Sequence, residues 1–186
     1  MVKRDFIRDI LLVILVILVL LLLRIFVFST YRVTQADANS YLKKGDLITF
    51  TRTSKPDYKE FVVYEAKGHT HIGRIIGDPH DSITYMDDIF YRNKKIASQS
   101  YINPLKKKFH IKNHKNQNPF TADFTVSSIR KSKSNKIPKG SYLILNDQRS
   151  NKQDSRTFGL IKRSQIKGVV TFRVLPLGHF GFVKTE

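Results

Sequence analysis

A mainly antiparallel β-sheet domain behind one N-terminal apolar helix is the fold class this sequence predicts. Three observations predict it. Ile10 to Phe28 is an unbroken apolar run interrupted only by Arg24. From Asp46 onward, short runs rich in β-branched and aromatic residues recur at strand length. Turn formers separate those runs at hairpin spacing, as at Lys67-Gly68. A chain of 186 residues suits one domain of ordinary size. It holds no cysteine, which excludes disulfides, thiolate metal sites and thiol nucleophiles.

The apolar run comes first. At about 1.5 Å per residue, a helix over 10–28 reaches roughly 28 Å, close to a bilayer core of about 30 Å. Arg24 sits near its end, where a long cationic side chain can reach outward to water. The flank "STYRV" lacks the small-residue pattern of a cleavage site, so the segment reads as an uncleaved membrane anchor. Lys3, Arg4 and Arg8 place the N-terminus in the cytoplasm, and long domains cross largely regardless of charge. The expected division is a cytoplasmic 1–9, a transmembrane helix 10–28 and an extracellular domain 29–186.

Within that domain "LITFTR" alternates Leu47, Thr49 and Thr51 with Ile48, Phe50 and Arg52. "FVVYEAKGHTHIGRIIG" predicts a hairpin: a strand from Phe61 to Tyr64, a turn at Lys67-Gly68 and a return from Thr70 to Ile76. "DSITYMDDIFYRNKK" predicts a second hairpin turning at Asp87-Asp88. "SYLILND" and "GVVTFRVLPL" predict later strands, and "SRTFGLIKRSQI" one helical turn. Residues 103–139 are rich in Lys, Asn and Ser and read as a basic polar insertion. Phe109, Ile111, Phe120, Phe124, Val126 and Ile129 are its candidates for burial.

The formal charge is +18. The first 28 residues hold four cations and two anions; without them the domain keeps 29 basic and 13 acidic residues, a balance of +16. A basic surface attracts polyanions of any kind. An outside location excludes nucleic acid as a partner and leaves anionic lipid or wall polymer. No cofactor is expected. His80, His110 and His114 lack a metal-ligand spacing on a helix, so no metal site is expected either.

The order of these pieces resembles the type I signal peptidases, membrane-anchored serine proteases. The resemblance rests on "LKKGDLITF", "KEFVVY", "GRIIGDPHDSITY", "IPKGSYLILNDQRSNKQDSRTFG" and "IKGVVTFRVLPL". It implies a mainly antiparallel β fold whose site faces the outer leaflet. It also implies a serine in a "SM-x-PT-L-x-x-GD" run and a lysine before "R-x-x-G", the lysine acting as base for the serine. Counting back from Gly45-Asp46 puts Asp37 in the serine's place. Gly73, ahead of Arg74, stands in the lysine's place. Neither position can do the family's chemistry: a carboxylate is a weak nucleophile whose acyl product would be an anhydride, and glycine offers no base. Arg74, Asp81, Arg149, Asp154, Ser155 and Arg156 match the family and are expected to act as scaffold beside the former site.

Asp37 with Gly73 also resembles, more narrowly, signal-peptidase-like proteins from pilus gene clusters of Gram-positive cocci. That resemblance implies a non-catalytic chaperone or assembly factor for sortase-dependent pilus polymerisation. Its partners would be pilin subunits, a pilus sortase, or both, besides the membrane. The alternative is an active signal peptidase with a relocated nucleophile and base, such as Ser40 with His71. An aspartic dyad of Asp37 with Asp154 is a further arrangement, set against a structural pairing of Asp154 with an arginine. Asp37 is expected to be exposed, or capped by backbone N–H groups, because an unpaired buried carboxylate would be neutralised.

Overall fold

The computed structural model describes residues 2–112, 118–130, 132 and 134–186, with the side chains of 2–4, 23, 25 and 26 left aside. His114 therefore lies outside the described residues. The chain opens with helix α1 (Val2–Phe26). Among the described residues no helix is long and apolar enough to cross a membrane. The described side chains of α1 include Asp5, Arg8 and Asp9, and the expected span over 10–28 takes in positions outside the described side chains. The chain turns extended at Phe28, so the last two residues of that expected span are not helical.

Twelve strands follow among the described residues. Strand β1 (Phe28–Arg32) was not among the predicted elements. It pairs antiparallel with β2 (Leu47–Thr51). Strands β3 (Phe61–Ala66) and β4 (His69–Gly77) form the first predicted hairpin and run slightly longer than expected. Lys67 and Gly68 both have positive φ, 50° and 77°, the backbone that a two-residue hairpin turn needs. Strands β5 (Ile83–Met86) and β6 (Ile89–Arg92) form the second, with Asp87 and Asp88 at φ 52° and 63°. Aspartate tolerates that region better than most side chains, and here the turn is held from outside. The Asp88 carboxylate accepts from the Phe120 and Thr121 amides at 2.8 Å each. Strand β7 (Lys95–Ile96) closes this meander.

The insertion holds more helix than the sequence suggested. Helix α2 (Asn103–Lys112) occupies its first third, with no buried residue. Strand β8 (Phe124–Thr125) then adds to β5. Phe120, Val126 and Ile129 are buried and Phe109 and Phe124 half-buried, as the sequence proposed, whereas Ile111 is 66% exposed. Strand β9 (Ser141–Leu145), helix α3 (Ser155–Phe158) and strand β10 (Ile161–Lys162) come next. The long β11 (Ile166–Leu175) and short β12 (Gly181–Phe182) end the fold.

The larger sheet runs β1-β2-β11-β3-β4-β9-β10, with β12 also on β11; the smaller runs β7-β6-β5-β8. One apolar core joins the small sheet to the insertion through Tyr85, Phe90, Phe120 and Val126. Two others lie against the large sheet, around Tyr64, Ile75 and Ile144 and around Leu42, Ile48 and Phe61. The topology leaves one gap that matters for function. Strand β9 pairs β4 only from Arg74 to Gly77. Upstream of Arg74, that edge of β4 has no strand partner among the described residues.

Candidate active site

The gap beside β4 is where the segment after β1 returns. Val33 and Asp46 pair across the base of the loop, with the Val33 amide on the Asp46 carbonyl at 2.9 Å. The Asp46 carboxylate accepts from the Lys43 amide at 2.9 Å, and Arg173 pairs with it at 3.1 Å. The loop so fixed projects Asp37 against the free edge of β4.

Asp37 is buried, 6% exposed, and its two oxygens receive three donors. The Ile72 amide donates to Oδ1 at 2.9 Å. The Tyr31 hydroxyl donates to Oδ2 at 2.9 Å and the Thr34 hydroxyl at 2.5 Å. The expected backbone cap is present; the burial that comes with it exceeds simple exposure, because two hydroxyls complete the cap. Burial, then the Asp37 charge, pushes the Tyr31 hydroxyl well above its ordinary range, so it stays a donor.

The cleft in front of Asp37 is lined by Thr34, Ala66, Lys67, His71, Gln153 and Phe158. His71 lies across from Tyr64 in the β3–β4 register. Its ring packs 5.6 Å from Tyr64 and 5.0 Å from Phe158, centroid to centroid. Burial pulls the His71 imidazole below its ordinary pKa, while the Asp37 carboxylate pulls the other way. His71 is therefore neutral at neutral pH, with a carboxylate placed to stabilise its cation. Lys67, in the hairpin turn, hangs over the Phe158 ring at 5.7 Å.

Gly73 follows Ile72, whose amide donates to Asp37, so the two positions the sequence singled out are one residue apart along that contact. The room a lysine would need is taken. A Cβ on Gly73 would lie 2.5 Å from Cγ2 of Ile144 and 3.3 Å from the Tyr64 ring. Ile144 is fully buried on β9 and its Cγ2 cannot swing away without moving the strand. Gly73→Ala is accordingly expected to cost about 1–3 kcal/mol by overpacking. Combining it with Ile144→Ala should cost less than the two single changes added together, which urea melts of the four proteins would check.

The six residues expected to act as scaffold make the following contacts. Asp154 is fully buried and pairs with Arg156 at 2.6 Å, capping the start of α3. That pairing, with Asp37 committed to its own three donors, leaves no shared proton for an aspartic dyad. The Ser155 hydroxyl accepts from the Ile144 amide at 3.0 Å, and Arg149 is buried with an Nη on the Asn146 carbonyl. Arg74 makes a bidentate pair with Asp147 at 2.8 and 2.7 Å, a partner the sequence had not assigned. Asp81 accepts from Arg92 and Asn93, both at 2.7 Å. Ser40 is elsewhere: it lines a separate depression with Lys43, Arg173, His179 and Phe182. The loop turns between Asp37 and Ser40, held by Asn39, whose Oδ1 accepts from the Tyr41 and Leu42 amides at 2.8 and 3.0 Å. Ser40 with His71 is thus corrected; the cleft joins His71 to Asp37 instead. Among the described residues no group of three or more His, Asp or Glu is arranged to hold a metal ion.

The family described as "Signal peptidase, peptidase S26" matches residues 6–175. This chain belongs to that family. Signal peptidase IB of Staphylococcus aureus strain MRSA252 is 34% identical over 164 residues, covering 84% of this chain and 83% of that protein. Signal peptidase I of Bacillus caldolyticus is 34% identical over 165 residues, covering 86% of each. The crystal structure of a signal peptidase I from Enterococcus faecalis V583 superposes with a TM-score of 0.57 at 30% identity, over 63% of this chain and 98% of that one. The mainly antiparallel β signal-peptidase fold implied by the motifs is therefore the fold of this chain.

The same relatives overturn one expectation. The chain was expected to be an inactive family member, a chaperone for pilus assembly. The relatives it matches over more than four-fifths of its length are named as peptidases, and none of these is named for pilus assembly. The inference of inactivity rested on two positions. Losing one pair of groups does not remove the cleft, and this cleft retains a carboxylate beside a neutral imidazole.

Proposed function

We propose that this chain is a signal-peptidase-type endopeptidase that takes an extended peptide along the free edge of β4 and cleaves it between Asp37 and His71. The observation that carries this reading is the neutral His71 beside the buried Asp37 carboxylate, in the cleft of a chain 34% identical to named signal peptidases. An unpaired strand edge flanked by side-chain pockets suits an added strand of substrate. Since Asp37 is fully hydrogen-bonded and Gly73 has no side chain, water is the attacking group. The water oxygen bonds to the peptide carbonyl carbon as its proton passes to His71. The imidazolium, stabilised by Asp37, returns that proton to the departing amine, leaving a carboxyl and an amine end. The apolar run over 10–28 anchors the domain to the membrane with 29–186 outside, which brings the cleft to secreted precursors.

The test is cleavage of a secretory precursor by the full chain in detergent or lipid. His71→Ala is expected to slow it about 10²–10⁴-fold, the usual worth of a general base. The lowered His71 pKa fixes the sign of the pH profile: the imidazole is free above its pKa, so the rate falls as pH drops through that pKa, below the ordinary imidazole range, and is flat above neutrality. Absence of cleavage by the unaltered chain, or a His71→Ala variant as fast as the parent, overturns the reading.

A further inference from the structure

The cleft does not end at His71. Phe158, half-buried at the end of α3, lines it with a ring 5.0 Å from that of His71. The same residue lines a second depression, together with Arg130, Pro138, Ser141, Leu160 and Lys162. One ring therefore faces both. The frame of the second depression is fixed by the backbone. Gly159 has a φ of 91°, and a Cβ there would lie 2.9 Å from the Arg130 carbonyl. Only glycine lets the Arg130 segment close up beside Phe158. Lys162 stands on β10 opposite Ser141 of β9, and the Arg163 amide donates to the Gly140 carbonyl at 2.7 Å.

The charge along this path has one sign. Lys67 lines the cleft, and Arg130 and Lys162 line the second depression. All three are exposed, and among the described residues none of them has a carboxylate partner. Lys67 rests on the Phe158 ring instead, at 5.7 Å. Other cations close by in the chain are paired: Lys167 with Glu65 at 2.8 Å, and Arg156 with Asp154. Asp37 is the only carboxylate among the described residues that line the cleft, and its oxygens are taken by three donors. None lines the second depression. A concave surface with one sign of charge concentrates the opposite sign.

We propose that the peptide this cleft takes is acidic on one side of its scissile bond. The extended chain crosses the Phe158 ring, with one carboxylate at Lys67 and another at Arg130 and Lys162. The inference rests on the reading of the cleft as a peptide site given above. Pairing along the β4 edge uses main-chain groups, which every sequence offers, so selection falls to the side chains beyond that edge. Here those side chains are three unpaired cations on either side of an aromatic ring.

Fluorescent peptides built on one secretory cleavage sequence would carry a short run of Glu, or of Gln in its place, before or after the scissile bond. Cleavage is read as kcat/KM with the full chain in detergent. Binding is read by anisotropy with the full-length His71→Ala variant, so affinity is measured apart from turnover. A Glu run on one side should be preferred over its Gln counterpart by about tenfold at low salt, as exposed ion pairs add about two- to fivefold each. The preference should fade at 1 M salt, where the screening length is about 3 Å. Lys67→Glu, and Arg130→Glu with Lys162→Glu, should each cut the preference, and the three changes together should reverse it. Lys107→Glu, exposed on α2 and outside both depressions, should leave it unchanged. Equal binding of the Glu and Gln peptides overturns the inference. So does a loss in Lys107→Glu as large as in Lys67→Glu, which would assign the preference to net charge. Cleavage without a charge preference overturns this inference alone. Charge-selective binding without cleavage supports it and overturns the peptidase reading instead.

Discussion

Asp147→Ala is expected to destabilise the domain by about 3–5 kcal/mol, the cost of leaving a buried charge without its partner. The partner is Arg74, whose side chain is fully buried, as is that of Asp147. Its guanidinium is held between rings, 4.0 Å from the Phe61 centroid and 4.1 Å from Tyr101. One Nη also donates to the Lys59 carbonyl at 2.8 Å. Nothing in that stack can replace a carboxylate. Arginine does not lose its proton in proteins, so neutralisation offers no relief. At roughly 2–4 °C per kcal/mol for a chain of this size, the melting midpoint should fall by about 6–20 °C. The sharper measurement adds the double change Arg74→Met with Asp147→Leu. Removing both charges restores much of the loss, because a buried pair returns little over an apolar pair of similar volume. A double variant as unstable as Asp147→Ala would mean that the ring stack, not the charge pairing, holds this corner.

Chain order alone singled out Asp37 and Gly73, and the structure shows what such counting reaches and where it stops. Asp37 and Gly73 are tied to motif positions on either side of local turns, so counting residues finds them. The Ile72 amide meets Asp37 from 35 positions away, and the Tyr31 and Thr34 hydroxyls reach it only after the loop closes. No periodicity reports such a cap. Strand β1 was absorbed into the apolar run because Phe28 continues its composition, although the strand is defined by pairing with β2 rather than by its own pattern. Helix α2 escaped for the opposite reason. It fully buries no residue, and its apolar stripe is only Leu105 and Phe109, too short to stand out among the lysines, so Pro104 in its first turn is the clearer sign of a helix start. His71 shares a strand face with Gly73 by their spacing of two, which is what made Ser40 with His71 an alternative pair. That rule holds within β4 and says nothing about a loop, where Asn39 turns the chain between Asp37 and Ser40. The inactive-chaperone reading failed on a related point: two altered positions describe two side chains, whereas a cleft is made of everything that faces it.

Asp154→Ala should cost about as much as Asp147→Ala, roughly 3–5 kcal/mol, and should also loosen the cleft. The carboxylate serves four donors at once. Oδ1 accepts from the Arg156 amide at 3.0 Å and its Nε at 2.9 Å. Oδ2 accepts from the Asn146 amide at 2.9 Å and from Arg156 Nη2 at 2.6 Å. The side chain thus caps α3, pairs a cation and closes the end of β9 together. Asp154→Asn keeps the shape but turns one acceptor into a donor facing donors, so it recovers only part of the loss. The segment it anchors reaches the cleft twice. Gln153, Thr157 and Phe158 line the cleft directly. Asn151 donates to the Ala36 carbonyl at 2.8 Å, beside Asp37. Amide hydrogen exchange separates local from global loosening. In Asp154→Ala the Asn146 and Ile72 amides should both exchange faster, by more than the fall in global stability accounts for. If Ile72 exchange changes only in step with global unfolding, Asp154 holds the fold without bracing the cleft.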